Sequence, residues 1–203
     1  MLAKKATQTL LLAILTCLGL ACTARDFLTR RLAADLISAS EAFKEPQLFW
    51  LRTGIVSNKD FSSPESLVLQ RRGWIAANQQ KCPDGVDPAP CWDVVLTPLG
   101  AETVKPLISS PLPSNGPIAI EVARRELVNI SGISKAGNFA DVEFIWRWSP
   151  SNPVGIALYD SGVHYRSTVA FRGYDDGWRL LEQPVPSNQP LEDALRNAQP
   201  TAP

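Results

Sequence analysis

The sequence predicts an α+β protein in two parts: a small helical part with two short strands, then a four-stranded antiparallel β-sheet. Three observations carry that expectation. In roughly the first hundred residues the apolar positions follow a helical period, with Ser or Thr placed ahead of Pro at two helix starts. A stretch rich in proline and serine, Lys105 to Pro117, then suits neither period. From Ile118 onward apolar residues alternate with polar ones, the mark of a strand with one buried face. The chain of 203 residues is 45% hydrophobic and 20% charged, which rules out wholesale disorder and fibrous repeats.

The first segment reads as an address. Lys4 and Lys5 precede an apolar run from Leu10 to Ala21 that contains no charge. That run is about 12 residues, short of the ~20 a spanning helix needs, and it shows no helical period. A positive start, a short apolar centre and small residues at the end fit a signal peptide over residues 1–21. Gly19-Leu20-Ala21-Cys22 resembles the lipobox of bacterial lipoproteins, although Leu stands one place late. The resemblance implies acylation at Cys22, a membrane anchor made by that lipid, and a place in the bacterial cell envelope facing the periplasm. An ordinary signal peptidase would also accept Gly-Leu-Ala, which would give a secreted protein.

Residues 22–104 form the expected first part. Leu28, Leu32, Leu36 and Phe43 make one stripe of a helix over 25–45, interrupted at Ser38 to Ser40 and stopped by Pro46. Ser62-Ser63-Pro64-Glu65 starts a second helix, with a serine cap, Pro at the first position and an acid facing the dipole. Gly73 ends it. Trp74 to Ala77 and Trp92 to Leu96 read as outgoing and return strands, and Thr97 caps a last helix over Pro98 to Val104. The order resembles a winged-helix domain, carried by Leu69-Gln70-Arg71-Arg72-Gly73-Trp74-Ile75 and Leu96-Thr97-Pro98-Leu99-Gly100. Only Gln70, Arg71 and Arg72 would suit DNA contact, so the resemblance implies a fold reused for protein contacts.

Residues 105–117 are the expected linker and residues 118–183 the sheet. Ile118 to Ser134 is one strand. Phe139 to Trp148 places Val142, Phe144, Trp146 and Trp148 on one face. Ser149 to Val163 is an excursion with a short helix near Val154 to Tyr159. Tyr165 to Arg172 alternates again, and Asp175-Asp176-Gly177 turns the chain into Trp178 to Leu181. That last hairpin is similar to those of cystatin-like and nuclear-transport-factor-like domains. Residues 184–203 are a proline-rich tail with a short helix at Leu191 to Asn197.

The four cysteines divide by position. Cys17 lies in the leader, Cys22 at the lipobox, and Cys82 and Cys91 enclose a segment holding three prolines and a glycine. Two cysteines closing such a loop in an exported chain read as a disulfide. A zinc site would need further ligands, and a catalytic thiol would need a nearby base.

Chemistry-bearing motifs are sparse. The sequence contains no GxGxxG, P-loop or GxSxG pattern and a single histidine, His164. Equal numbers of basic and acidic residues, 20 each, give no electrostatic reason to bind nucleic acid. The densest feature is aromatic, and Trp146, Trp148 and Tyr165 with Arg147 are the candidate ligand pocket. A bland role as core is the competing account of the aromatics. His164 beside Asp160 or Asp141 is a candidate acid–base pair. No cofactor or metal is implied. The expected function is non-catalytic binding of a protein or other envelope component. Its rivals are a small-molecule site or enzyme on the aromatic face, and a cytoplasmic nucleic-acid binder with an uncleaved leader.

Overall fold

The structure is a computed structural model that describes residues 27–83, 90–108, 116–181 and 190–201. The leader, Cys22, most of the loop between Cys82 and Cys91, the centre of the proline-rich linker and the start of the tail lie outside the described residues.

Local sequence signals place most elements. The first helical stretch is split as its serines suggest, into α1 (Arg30–Ala39) and α2 (Glu41–Lys44). The Thr29 hydroxyl accepts the Leu32 N–H at 3.1 Å and starts α1. Strand β1 (Gln47–Ser57) follows, then α3 (Asn58–Phe61) and α4 (Pro64–Arg71). The Ser63 hydroxyl accepts the Ser66 N–H at 3.2 Å, with Pro64 at the first helical position. Gly73, at φ +70°, ends the helix while the Trp74 N–H reaches back to the Leu69 carbonyl at 3.0 Å. Strands β2 (Ile75–Gln80) and β3 (Cys91–Leu96) make a hairpin closed by the Cys82–Cys91 disulfide, whose Cα atoms are 5.0 Å apart. Thr97 caps α5 (Pro98–Val104) through the Gly100 N–H at 3.0 Å.

The rest is mainly strand. Lys105–Leu107 is a single 3₁₀ turn, and β4 (Gly116–Ala136) is 21 residues long. Strand β5 (Phe139–Pro150), helix α6 (Pro153–Leu158), strands β6 (His164–Tyr174) and β7 (Gly177–Leu180), helix α7 (Leu191–Arg196) and strand β8 (Gln199–Thr201) complete the order. Asn152 caps α6 through the Gly155 N–H at 2.9 Å.

The expected pairing of a small winged-helix-like part with a separate four-stranded sheet is overturned. Among the described residues the protein is mostly β, with eight strands in one antiparallel sheet. Hydrogen-bonded neighbours run β2-β3-β1-β4-β5-β6-β7, and β8 also pairs β6. The physical cause is β1, which sequence reasoning left unassigned. It pairs β3 from Gly54 to Ser57 and β4 from Gln47 to Thr53, so β1 joins the hairpin of the supposed wing and the later meander into one sheet. A wing ends at its own edge; here the edge that would close it is occupied.

Contacts divide the chain into two units. One comprises residues up to Ile37, Asn129–Phe144 and Ser167–Ala198. Its buried residues include Ile37, Val142, Phe144, Val169, Phe171 and Leu195. The Ser167 hydroxyl donates to the Ala194 carbonyl at 2.9 Å, which fastens α7 to β6. The other unit comprises Ser38–Val128, Ile145–Arg166 and Gln199–Pro203. Its core joins Leu51, Val56 and Phe61 to Leu69, Ile75, Val94, Ile118, Ile120, Val122 and Val154. This core gathers β1, the β2–β3 hairpin, helices α3, α4, α5 and α6 and the first half of β4.

Candidate functional site

The aromatic set anticipated from sequence comes together, but as a packed stack. Alternation along β5 puts Trp146 and Trp148 on one face. The Trp146 ring stacks on Tyr165 at 4.8 Å and meets Trp148 edge-on at 5.3 Å, while Trp148 tilts against Tyr159 at 5.2 Å. The Arg125 guanidinium lies 4.8 Å from the Trp148 ring and 5.7 Å from Trp146, a cation–π arrangement. Its Nη1 donates to the Ala42 carbonyl at 2.6 Å. Trp146 is only 3% exposed. Burial pushes the Tyr159 phenol above its ordinary pKa; the negative charge of Glu65 adds to the rise, and Arg125 opposes it.

Arg147 does not join this group. It is adjacent to both tryptophans in sequence and therefore faces the other side of β5. There it grips Glu126 with two bonds, Nε to Oε2 at 3.1 Å and Nη2 to Oε1 at 3.0 Å. The Arg147 hydrogen bond holds the Glu126 carboxyl below its usual range, with burial opposing it, and Glu126 in turn raises Arg147. Around His164, the backbone carbonyl accepts the Thr201 hydroxyl at 3.3 Å and Asp160 Oδ1 accepts the Gly162 N–H at 2.8 Å, so Asp160 is engaged in its own turn. Among the described residues no group of three His, Cys, Asp or Glu side chains could hold a metal ion, and no helix is long and apolar enough to cross a membrane.

The open surface lies on β1. A cleft of about 660 Å³ is lined by Trp50, Arg52, Thr53, Ile55, Val56, Ser57, Asp60 and Pro117. Trp50 and Ile55 are 55% and 50% exposed and stand together in this cleft. Beside them Asp60 Oδ2 accepts Arg52 Nη1 at 3.0 Å and the Ser57 hydroxyl at 3.1 Å. Gly54 explains why apolar residues point both ways. Its φ of +83° shifts the alternation by one, so Leu51 and Val56 turn into the core while Trp50 and Ile55 turn out. A second groove, about 430 Å³, runs along β1 from Gln47 to Arg52 and is walled by residues of α3 and α4.

Sequence reasoning missed Trp50, Arg52, Ile55 and Asp60 as a group. The signal was present: Leu48 to Val56 is rich in aromatic and β-branched residues, between Pro46 and the Asn58 turn. No known protein family, curated protein or solved structure matches the chain.

Proposed function

We propose that the protein is exported, anchored to the bacterial envelope by a lipid on Cys22, and works by binding a partner protein rather than by catalysis. The observation that carries the binding role is the β1 surface. Trp50 and Ile55 stand half-exposed on a strand whose Leu51 and Val56 enter the core, beside the Arg52–Asp60 ion pair. Exposed aromatics next to an arginine are the common anchors of protein interfaces. The leader and Gly19-Leu20-Ala21-Cys22 support export and acylation. The Cys82–Cys91 disulfide supports an oxidising compartment. The packing of Trp146, Trp148 and Tyr165 on Arg125 supports a structural role for the aromatic face.

The test is the intact mass of the protein purified from its native host, with and without reduction. The proposal expects a chain that starts at Cys22, carries acyl groups and gains two protons when reduced. A full-length, unmodified and already reduced chain would refute export and anchoring together.

A further inference from the structure

The groove along β1 points to the manner of binding. Six consecutive residues, Gln47 to Arg52, line it. Side chains alternate along a strand, so a groove on one face would meet every second residue. A groove that meets six in a row borders the strand's edge, where backbone N–H and C=O groups stand. The ladder agrees. Strand β1 pairs β4 along Gln47–Thr53, but pairs β3 only along Gly54–Ser57. The β1–β3 pairing ends at Gly54, whose φ is +83°, and among the described residues no strand pairs the β3 side of Gln47 to Arg52. On that stretch the Leu48 carbonyl accepts the Gln47 side-chain amide at 3.2 Å.

We infer that this protein captures an extended segment of its partner, which adds as a strand to the Gln47–Arg52 edge. The inference rests on the partner-binding reading above. A row of edge donors and acceptors at strand spacing is matched by another peptide backbone. Leu48 and Trp50, both exposed, line the groove and would meet apolar side chains of the incoming segment. Lys59 and Glu65 at the groove offer both signs of charge, which suits a segment near neutrality.

The experiment is site-specific photocrosslinking in the native host. A photoreactive residue replaces Leu48 or Trp50, with Ile156 as a control that is 67% exposed on the same unit. The captured segment is identified by mass spectrometry and synthesised, and amide exchange of the full chain is measured with and without that peptide. Strand addition expects capture at positions 48 and 50, not at 156, and exchange at alternate amides of Gln47–Arg52 slowed about tenfold or more. Capture at 48 and 50 without amide protection overturns strand addition and leaves partner binding standing. Capture of a second copy replaces the partner peptide with self-association. No specific capture at 48 or 50 overturns both.

Discussion

Helix α6 provides the sharpest test of the packing, through Gly155. A Cβ built there would fall 1.8 Å from the Val122 carbonyl oxygen and 2.8 Å from its carbon, both fixed backbone atoms of β4. Real contacts of this kind essentially never close below 3.0 Å. Gly155→Ala therefore forces α6 away from β4 by about 1.2 Å. The shift acts on the bonds that dock the helix: Ser151 N–H to Val122 O at 3.0 Å, Ser151 Oγ to Glu121 O at 3.2 Å, and the Asn152 amide to Glu121 O. Weakening two or three bonds at ~0.5–1.5 kcal/mol each, with partial loosening of buried Val154, gives about 2–4 kcal/mol. Better helix propensity returns up to ~1 kcal/mol. The net expectation is a loss of about 1–3 kcal/mol, a large share of the ~5–15 kcal/mol of an ordinary domain. Urea unfolding followed by tryptophan fluorescence measures it, and at ~1–3 kcal/mol per molar the midpoint drops by about 1–2 M. Gly132→Ala is the control, since its Cβ would meet only Glu143 Cβ at an ordinary 3.7 Å. Its expected effect is neutral or stabilising by up to ~1 kcal/mol. A Gly155→Ala protein within about 0.5 kcal/mol of the parent would refute the packing argument.

Three further outcomes are expected. Replacing Cys82 and Cys91 together by Ala removes a crosslink across nine residues of sequence and costs up to about 2.7 kcal/mol on the chain-entropy account, read as a lowered urea midpoint. The Tyr159 pKa is raised in the folded state, so its contribution to stability is fully present below about pH 10 and declines as pH rises further; Tyr159→Phe should flatten that alkaline decline in a pH series of thermal midpoints. Glu126 is lowered by Arg147, so its contribution is present above the ordinary carboxylate range and lost as pH falls through the lowered value; Arg147→Ala should soften the acid limb of the same series while near-ultraviolet circular dichroism of the tryptophan stack stays unchanged.

Much of the local structure was legible because its signals are short-range. Ser63-Pro64 at one helix start, Thr97-Pro98 at another, Gly73 at a helix end and Asp175-Asp176-Gly177 at a hairpin each act within a few residues, and each stands where the sequence places it. The alternation of β5 and β6 was likewise plain. Strand β1 was not, because Gly54 breaks its period of two and leaves Trp50 and Ile55 outward among core residues. A pattern search looks for one apolar face, and this strand divides its apolar residues between two. The β1 cleft was missed for the same reason. The Trp146–Trp148–Tyr165 set was visible as a dense aromatic feature, but its partner could not be read locally: Arg125 comes from β4, and Arg147, the cation nearest in sequence, faces away.

Sequence alone therefore determined the caps, the turns, the two-residue period of the meander and the pairing of Cys82 with Cys91, all properties of residues near one another along the chain. Only the tertiary structure decided that the early hairpin and the later meander form a single sheet, and that β1 stands between them. Strand neighbours are chosen by hydrogen bonding and burial between segments far apart in sequence, and a strand's own residues carry its period but not the identity of the strand beside it.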